Sequence, residues 1–351
     1  MIKLGIIGTG GMANRHAEVF STIADVELVA ACDIDRSRAE AYAERHKIAK
    51  VFTRSADLLK EGGVDAVSVV TPDRFHAPLS IEALEAGKHV LCEKPLATSH
   101  ADARRMVKAA QKAGTINMVN FSYRDSSAIH RAREWVQAGE LGRIYHVEAR
   151  YLQSWLTGQD WGDWRVEPAW LWRLSTAHGS KGVLGDIGVH ILDFATYPVG
   201  PVRQLQARLK NFTEKAPGDR VDDYVLDAND SAFITLEFAN GALGSVLTTR
   251  CATGHKNSVS LNIHGEKGAL RIDLDDSFEI IERLRLDPQS GKSLPWERLY
   301  TGRTPNIYER FAEAIRSGKP GEPDFARGAE IQALLDACET SEAEGRAVDI
   351  A

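Results

Sequence analysis

The sequence predicts an α/β protein in which a doubly wound parallel sheet is followed by a large, mostly antiparallel open sheet. Over residues 1–122, short apolar segments alternate with helical patterns, as in a parallel sheet covered by helices on both faces. Beyond residue 122, strand patterns follow one another with few helices between them. A length of 351 residues suffices for two domains, which we place at residues 1–122 and 123–351.

Bulk properties exclude several classes of protein. A formal net charge of −6 argues against a nucleic-acid surface, and no apolar run reaches the length of a membrane span. The first apolar residues run directly into a glycine turn, so we expect no signal peptide. Four scattered cysteines lack metal-ligand spacing, so we predict no metal site and a reducing, cytoplasmic setting.

The first strand, residues 2–7, ends at a turn that fits the pattern G-x-G-x-x-A and opens a helix. Gly8 permits the tight turn, Gly10 allows close approach of a pyrophosphate, and Ala13 lets helix and strand pack closely. The free N–H groups of the helix then face the phosphates. We therefore predict a dinucleotide here, contacted by Gly8, Thr9, Gly10, Gly11, Met12 and Ala13.

The second strand, residues 26–32, ends in Asp33. An acidic residue at this point is suited to the two hydroxyls of an adenosine ribose and repels a 2′-phosphate, which favours NAD over NADP. Ile34 and Arg38 are further candidates for cofactor contact, although the positive charge of Arg38 weakens the NAD preference. The alternative interpretation of Asp33 is a helix N-cap.

The alternation of strands and helices continues to residue 121. We expect strands at 50–53, 66–70, 89–92 and 116–121, and helices at 36–46, 55–61, 77–86 and 99–113. Ligands of such sheets bind beyond the carboxyl ends of the strands. The loops at those ends contain Thr71, Pro72 and His76 after one strand, and Glu93, Lys94 and Pro95 after the next.

Asp186 and His190 lie four residues apart in a segment, 182–194, whose apolar residues recur at helical spacing. On a helix they share one face, and a carboxylate beside an imidazole is suited to proton transfer near neutral pH. Gly185 and Gly188 each cost a helix about 1 kcal/mol relative to alanine, which suggests close approach of a flat group. The alternative is a buried helix in which Asp186 and His190 satisfy each other.

The second half is expected to contain an open sheet and a tryptophan-rich segment. Strands are expected at 143–153, 202–210, 231–238, 242–251, 258–264 and 269–274, with Asn240-Gly241 as a hairpin turn. Five of the seven tryptophans fall within residues 155–172, which favours a sugar-binding wall. The alternative is a loop packed by its own tryptophans. Helices at 306–317 and 325–344 are expected to pack back on the first domain.

Four stretches, taken in order, resemble the Gfo/Idh/MocA family, which includes glucose–fructose oxidoreductase and inositol dehydrogenase. They are the glycine turn at 8–13, Thr71-Pro72 with His76, Glu93-Lys94-Pro95, and the D-x-x-x-H of Asp186 and His190. The resemblance implies an N-terminal Rossmann domain and a C-terminal α/β domain. In the family the open sheet of the second domain often forms the oligomer interface and carries the sugar site.

The resemblance also implies roles for individual residues. Lys94 contacts the reacting hydroxyl and the nicotinamide ribose, and its bond to Pro95 is expected to be cis. Asp186 positions the substrate or Lys94, and His190 is the acid/base. The same resemblance gives cofactor contacts to Glu93, Asn120, Trp164 and Arg165. Candidates for substrate binding are Lys94, Arg124, Tyr151, Trp155, Arg173, His178, Asp186 and His190, and residues 178–181 form a possible substrate loop.

These expectations combine into an NAD-dependent oxidoreductase that moves a hydride between the cofactor and a hydroxyl carbon of a sugar, sugar derivative or cyclitol. The first alternative is a glycosidase that uses bound NAD in a transient cycle of oxidation, elimination and reduction. The second is a non-catalytic NAD-binding sugar sensor, which would need neither Lys94 nor His190. We expect a homodimer or homotetramer formed through the C-terminal sheet, with no nucleic-acid or membrane partner.

Overall fold

A computed structural model describes residues 1–350, except for the side chains of Pro168 and Ala169. Internal contacts divide the chain into two compact units. The first comprises Met1–Ser122 and Pro305–Gln332, and the second comprises Tyr123–Thr304 with the described residues from Ala333 onward. No helix within residues 1–350 is long and apolar enough to cross a membrane.

Within residues 1–122, six strands form a parallel sheet in the order β3-β2-β1-β4-β5-β6. This confirms the doubly wound sheet predicted from the sequence. The elements are β1 Ile2–Ile7, α1 Gly11–Phe20, β2 Val26–Cys32, α2 Arg36–His46, β3 Lys50–Phe52, α3 Ser55–Glu61, β4 Ala66–Val69, α4 His76–Glu85, β5 His89–Cys92, α5 His100–Ala113 and β6 Asn117–Val119.

The second unit begins with a helix and is dominated by strands. Its elements up to residue 300 are α6 Ser127–Gln137, β7 Ile144–Gln153, α7 Pro168–Leu171, α8 Val189–Thr196, β8 Val202–Lys210, β9 Arg220–Val221, β10 Tyr224–Val225, β11 Ser231–Phe238, β12 Leu243–Thr249, β13 Asn257–Gly265, β14 Gly268–Asp273, β15 Ile280–Arg285 and β16 Glu297–Tyr300. The chain ends with α9 Ile307–Ser317, α10 Phe325–Glu344 and β17 Val348–Asp349.

Within residues 123–350, nine strands form an open sheet in the order β16-β15-β14-β13-β7-β12-β11-β8-β17. Neighbouring strands are antiparallel except for β7 and β12, which pair in parallel, so the predicted mostly antiparallel sheet is confirmed. One face is covered by α6, which packs on β14 and β15, and by α8, which packs on β7, β12 and β13.

The sequence analysis missed β15, β16 and β17, of which β16 and β17 are the two edges of the sheet. β16 contains the charged pair Glu297-Arg298 and β17 has two residues, and both features are typical of edge strands that avoid pairing with other chains. Such strands carry too few alternating apolar residues to be recognised from periodicity.

Sequence-local interactions fix the ends of several helices. The Asp35 side chain caps α2 by accepting from the N–H groups of Ser37 and Arg38. Ser99 caps α5, and Asn306 with Glu309 forms a capping box at the start of α9. These caps fix where α2 and α5 begin, after the loops 33–35 and 93–99 that follow β2 and β5.

Candidate active site

The glycine turn after β1 has a geometry that fits a bound pyrophosphate. Gly8 has φ +93°, and a Cβ at this position would lie 2.6 Å from the carbonyl oxygen of Val70, so no other residue fits. A Cβ at Gly10 or Gly11 would meet no atom within 4 Å. The space above the turn is therefore open to a ligand, and α1 begins there at Gly11 without a side-chain cap on its N–H groups.

Asp33 is held at the end of β2 by residues from the glycine turn and from α2. Its Oδ2 accepts from the N–H and the hydroxyl of Thr9, both at 3.0 Å. Its Oδ1 accepts from Arg38 Nη2 at 3.2 Å. The alternative interpretation of Asp33 as an N-cap is wrong, because Asp35 caps α2. Ile34 is 87% exposed beside it.

The loops after β4 and β5 are joined by His76. Its Nδ1 lies 2.7 Å from the carbonyl oxygen of Pro95, and its Nε2 lies 2.8 Å from that of Thr71. Only 1% of the residue is exposed. His76 therefore holds the two loops together, in place of the direct cofactor contact expected for its side chain. Pro72, by contrast, is exposed on the first of these loops.

Glu93 is fixed beneath Lys94 by a buried polar network. Its Oε1 lies 2.8 Å from His16 Nε2 and accepts from Asn120 Nδ2 at 2.5 Å, while its Oε2 accepts from the Lys94 N–H at 3.1 Å. Burial raises the pKa of Glu93, but His16, Lys94 and Asn120 outweigh it and lower the pKa to about 2. Glu93 is therefore a carboxylate that anchors the start of the loop.

The same network connects several elements of the first unit. His16 Nδ1 lies 2.8 Å from the Ser68 hydroxyl on β4, and Asn120 Nδ2 donates to the Tyr308 hydroxyl on α9 at 3.2 Å. Glu93 and Asn120 are 6% and 3% exposed and belong to this buried network, and the cofactor contacts that the resemblance implies for them stay predictions. Lys94 is half-buried above them, and the Lys94–Pro95 peptide bond is cis, as the resemblance implies.

The D-x-x-x-H segment is not a regular α-helix. Leu184–Gly188 forms a π-helical turn that runs into α8 at Val189. A π turn is an uncommon local distortion that is frequent at functional sites. The expected close approach of a flat group at Gly185 is wrong, because a Cβ there would lie 2.5 Å from the Lys181 Cβ. Gly185 is thus required by packing within the chain.

Asp186 is held by two arginines. Arg250 Nη2 donates to Asp186 Oδ2 at 3.0 Å, and Arg173 Nε lies 3.6 Å from the same oxygen. Arg250 also donates to the Arg173 carbonyl at 3.0 Å, and its side chain is fully buried. Burial lowers the pKa of Arg250, whereas Asp186 raises it. Asp186 is therefore committed to an ion pair, which suits it to orienting a partner more than to transferring a proton.

His190 packs edge-on against Tyr123, with ring centroids 5.1 Å apart. The Tyr123 hydroxyl donates to that of Tyr151 at 2.7 Å, and Tyr151 donates to Asn257 Oδ1 at 2.9 Å. Asn257 Nδ2 completes the cycle by donating to the Tyr123 hydroxyl at 3.2 Å. Burial raises the pKa of both tyrosines, so neither is a base near neutral pH. This leaves the imidazole of His190 as the suitable proton acceptor in the group.

The tryptophan-rich segment packs on itself. Trp155 and Trp164 are each 2% exposed and share a cluster with Leu171, Leu174 and Leu226. The sugar-binding role predicted for Trp155 and the cofactor contact predicted for Trp164 are therefore replaced by core packing. The interpretation as a loop packed by its own tryptophans describes these two residues. Arg165 is exposed, with its guanidinium 4.6 Å from the Trp164 ring centroid.

Three other predicted substrate residues have structural partners. Arg124 is 2% exposed and forms a bidentate ion pair with Asp193, at 2.6 and 2.7 Å, so its predicted substrate contact is corrected to a structural role. Tyr151 is 5% exposed and belongs to the hydrogen-bonded cycle beside His190. His178 is exposed, and its ring lies 4.2 Å from that of Tyr224.

Sequence reasoning missed His16 and Arg250 as parts of the site. Both carry a usable signal, since each is a polar residue at a position whose periodicity points inward. His16 lies on the buried face of α1 with Ala13, Ala17 and Phe20. Arg250 continues the inward alternation of Val246 and Thr248 at the end of β12. A buried charge at such positions indicates a partner of opposite charge.

Comparison with known proteins agrees with this arrangement. A model described as an oxidoreductase family with an NAD-binding Rossmann fold matches residues 2–121, and a Gfo/Idh/MocA C-terminal domain matches residues 129–271. D-glucoside 3-dehydrogenase of Escherichia coli is 36% identical over 249 residues, covering 69% of this chain and 68% of that protein. The chain belongs to the Gfo/Idh/MocA oxidoreductase family.

Other members of the Gfo/Idh/MocA family match along the whole chain. Levoglucosan dehydrogenase of Pseudarthrobacter phenanthrenivorans is 27% identical over 394 residues, covering 99% of this chain and 98% of that protein. A solved structure of levoglucosan dehydrogenase in complex with NADH and L-sorbose has a TM-score of 0.87 at 26% identity, covering 100% and 99% of the two chains. The chain described here, as a member of the same family, is thus an NAD-binding oxidoreductase with a Rossmann domain.

Proposed function

We propose that the protein is an NAD-dependent dehydrogenase that oxidises a hydroxyl carbon of a sugar, sugar derivative or cyclitol. The observation that carries the proposal is the state of the D-x-x-x-H motif. Asp186 is ion-paired to the fully buried Arg250, and the His190 ring packs on Tyr123, whose raised pKa keeps its hydroxyl protonated near neutral pH. With Asp186 engaged by an arginine and Tyr123 unable to accept a proton, the imidazole of His190 is the group of the motif suited to act as general base. Relatives named as sugar dehydrogenases support the choice of substrate class.

The first unit supplies residues suited to holding the cofactor. The open turn at Gly8, Gly10 and Gly11 would take the pyrophosphate on the N–H groups of α1. Asp33 would accept from the ribose hydroxyls in place of the Thr9 hydroxyl and Arg38, which now donate to its Oδ2 and Oδ1. NAD, when bound, supplies the hydride acceptor. The fit rests on the glycine geometry, since a Cβ at Gly10 would meet only open space.

In the proposed mechanism, His190 takes the proton of the substrate hydroxyl at an imidazole nitrogen. The Lys94 ammonium stabilises the negative charge that develops on the same oxygen. Glu93, held by His16 and Asn120, keeps the Lys94 backbone in place. Asp186 orients the substrate or Lys94, because its own charge is already fixed by Arg250.

Net NADH formation across a panel of sugars, glycosides and cyclitols tests the proposal. The panel includes levoglucosan, glucosides, L-sorbose and inositols, and we expect sustained stoichiometric NADH formation with at least one of them. Cleavage of a glycoside without net NADH would favour the redox-neutral glycosidase. Binding of NAD and sugar without any turnover would favour the non-catalytic sensor.

We also infer that the protein forms a homodimer or homotetramer through the nine-stranded sheet. The face of the sheet opposite α6 and α8 carries Phe233 and Leu243, which are 50% and 53% exposed. Phe233 lies opposite Leu247 of the neighbouring strand, so these two apolar residues are adjacent on that face. Light scattering at micromolar concentration should give a mass of two or four chains. A monomer mass, or no loss of association in Phe233→Lys, would contradict the inference.

A further inference from the structure

His76 has an unusual pair of hydrogen-bond partners. It is the first residue of α4 and is 1% exposed. Its Nδ1 lies 2.7 Å from the carbonyl oxygen of Pro95, and its Nε2 lies 2.8 Å from the carbonyl oxygen of Thr71. Both of these contacts are to backbone carbonyls, which cannot donate a proton, and the Cys92 side chain is a further hydrogen-bond partner of the ring.

A neutral imidazole has one N–H group and one nitrogen lone pair. In the neutral form, one of the two short contacts of His76 would set a lone pair against a carbonyl lone pair. Because that contact is buried, no water could relieve it. Both contacts become hydrogen bonds only when both ring nitrogens carry a proton, that is, when His76 is an imidazolium.

His130 provides a comparison within the same chain. Its Nε2 lies 2.8 Å from the Arg124 carbonyl, and its Nδ1 lies 2.9 Å from the Tyr197 hydroxyl. A hydroxyl can donate as well as accept, so a neutral ring satisfies both contacts. The two histidines differ in one partner. The two carbonyl contacts of His76 require two ring protons, whereas the contacts of His130 can be satisfied with one.

We propose that His76 is a permanently protonated histidine that ties the loops after β4 and β5 together, positions Lys94 and places a fixed positive charge at this edge of the sheet. The link to Lys94 rests on the proposed function, because Lys94 immediately precedes the carbonyl-bearing Pro95. The protonation of His76 stands on the geometry of the two carbonyls alone.

The groups around His76 agree with a stable charge. Burial lowers the pKa of His76, but Cys92 at the end of β5, Asp73 in the preceding turn and the Pro95 carbonyl raise it to about 10. The ring therefore stays charged through the range of pH 6–9. A fixed positive charge near a nicotinamide disfavours the cationic ring of NAD⁺ relative to the neutral ring of NADH.

Neutron diffraction from the wild-type protein at neutral to mildly alkaline pD tests the protonation directly. We expect deuterium on both ring nitrogens of His76. Deuterium on only one nitrogen of His76 would overturn the proposal. This measurement needs neither a variant nor a substrate, so its outcome is independent of whether the protein proves to be a sugar dehydrogenase.

The consequence for the cofactor is tested by titrating NAD⁺ and NADH into His76→Gln. Loss of the charge should raise the ratio of Kd for NADH to Kd for NAD⁺ by about threefold or more, whereas loss of structure alone would weaken both equally. The matched control is His46→Gln, which removes a half-buried histidine bound to Asn14 in the same unit. An unchanged ratio in a folded His76→Gln would contradict the charge effect, and if that variant does not fold, the neutron map decides.

Discussion

Glu93 and Asp186 are both carboxylates of the candidate site, yet they are held in different ways. Glu93 is 6% exposed and accepts from Asn120 and the Lys94 N–H, and its Oε1 lies 2.8 Å from His16 Nε2. The Asp186 side chain is 24% exposed and is flanked by the guanidinium groups of Arg173 and Arg250. Glu93 is fixed mainly by directional hydrogen bonds, and Asp186 mainly by charge. We therefore expect changes at their partners to have different consequences.

The largest effects should come from Lys94 and His190, which follow these two carboxylates in the sequence. We expect Lys94→Ala and His190→Ala each to lower kcat by about 10²–10⁴-fold with NAD affinity nearly unchanged. The pyrophosphate and adenosine are expected to be held at the glycine turn and Asp33, away from both side chains. Since we propose that both residues act on one proton and one oxygen, we expect the double variant to lose less than the product of the single losses.

Steady-state kinetics and NAD titration on the three variants measure this prediction. Lys112→Ala, at an exposed lysine of α5, is the matched control and should retain wild-type rates. Wild-type turnover in His190→Ala would show that the D-x-x-x-H segment is structural.

The next effect concerns Arg250, the partner of Asp186. Arg250→Met keeps the length of the side chain but removes the charge and both hydrogen bonds, so Asp186 loses its orientation. We expect kcat to fall by about 10²-fold, which is the cost of a small misplacement in an active site. We also expect the acid limb of the pH profile of kcat to move to higher pH, because loss of a nearby positive charge favours the protonated form of a base. A fall in kcat without movement of that limb would mean that Arg250 supports packing only.

Arg346→Met is the control for loss of an arginine. Arg346 is 66% exposed and pairs with Glu344 in the same unit. Because an exposed ion pair contributes little, this variant should keep its activity and its pH profile. Equal losses in the two variants would show that the effect of Arg250 is a general loss of stability.

The two carboxylates also show which parts of the site could be predicted from the sequence. The parallel sheet, the glycine turn and NAD as cofactor follow from short contiguous motifs, since strand ends bring Asp33, Thr71 and Glu93 to one edge. Asp186 and Arg250 are 64 residues apart, and no local sequence pattern predicts an ion pair between them. The π turn was missed because the apolar spacing of Val183, Ile187 and Ile191 fits an α-helix equally well.

A smaller effect is expected on stability at acid pH. The pKa of Glu93 is lowered from its usual 4.5 to about 2, so its charge stabilises the folded state above pH 4.5. That contribution should be lost as the pH falls from about 4.5 towards 2, and it amounts to about 3 kcal/mol at most. Urea unfolding at several pH values should show a difference between wild type and Glu93→Gln that shrinks below pH 4.5. A difference that does not vary with pH would mean that the amide loses only hydrogen-bond geometry.

The smallest effect should come from Asp33, the carboxylate at the adenosine end of the site. Both of its oxygens are already engaged, by Thr9 and by Arg38, and its charge stands where a 2′-phosphate would lie. We expect the wild type to prefer NAD, and Asp33→Ser to reduce the ratio of the NADP and NAD dissociation constants by about tenfold. Part of this change should come from Arg38, which loses its carboxylate partner and becomes available to a phosphate. Asp33→Ser combined with Arg38→Ala should therefore recover less NADP binding than Asp33→Ser alone.

Asp35→Ser is the control, because serine can also cap α2 and should leave the ratio of the two dissociation constants unchanged. Calorimetric titration of both cofactors measures all four proteins, and tighter binding of NADP than of NAD by the wild type would show that Asp33 does not select the cofactor.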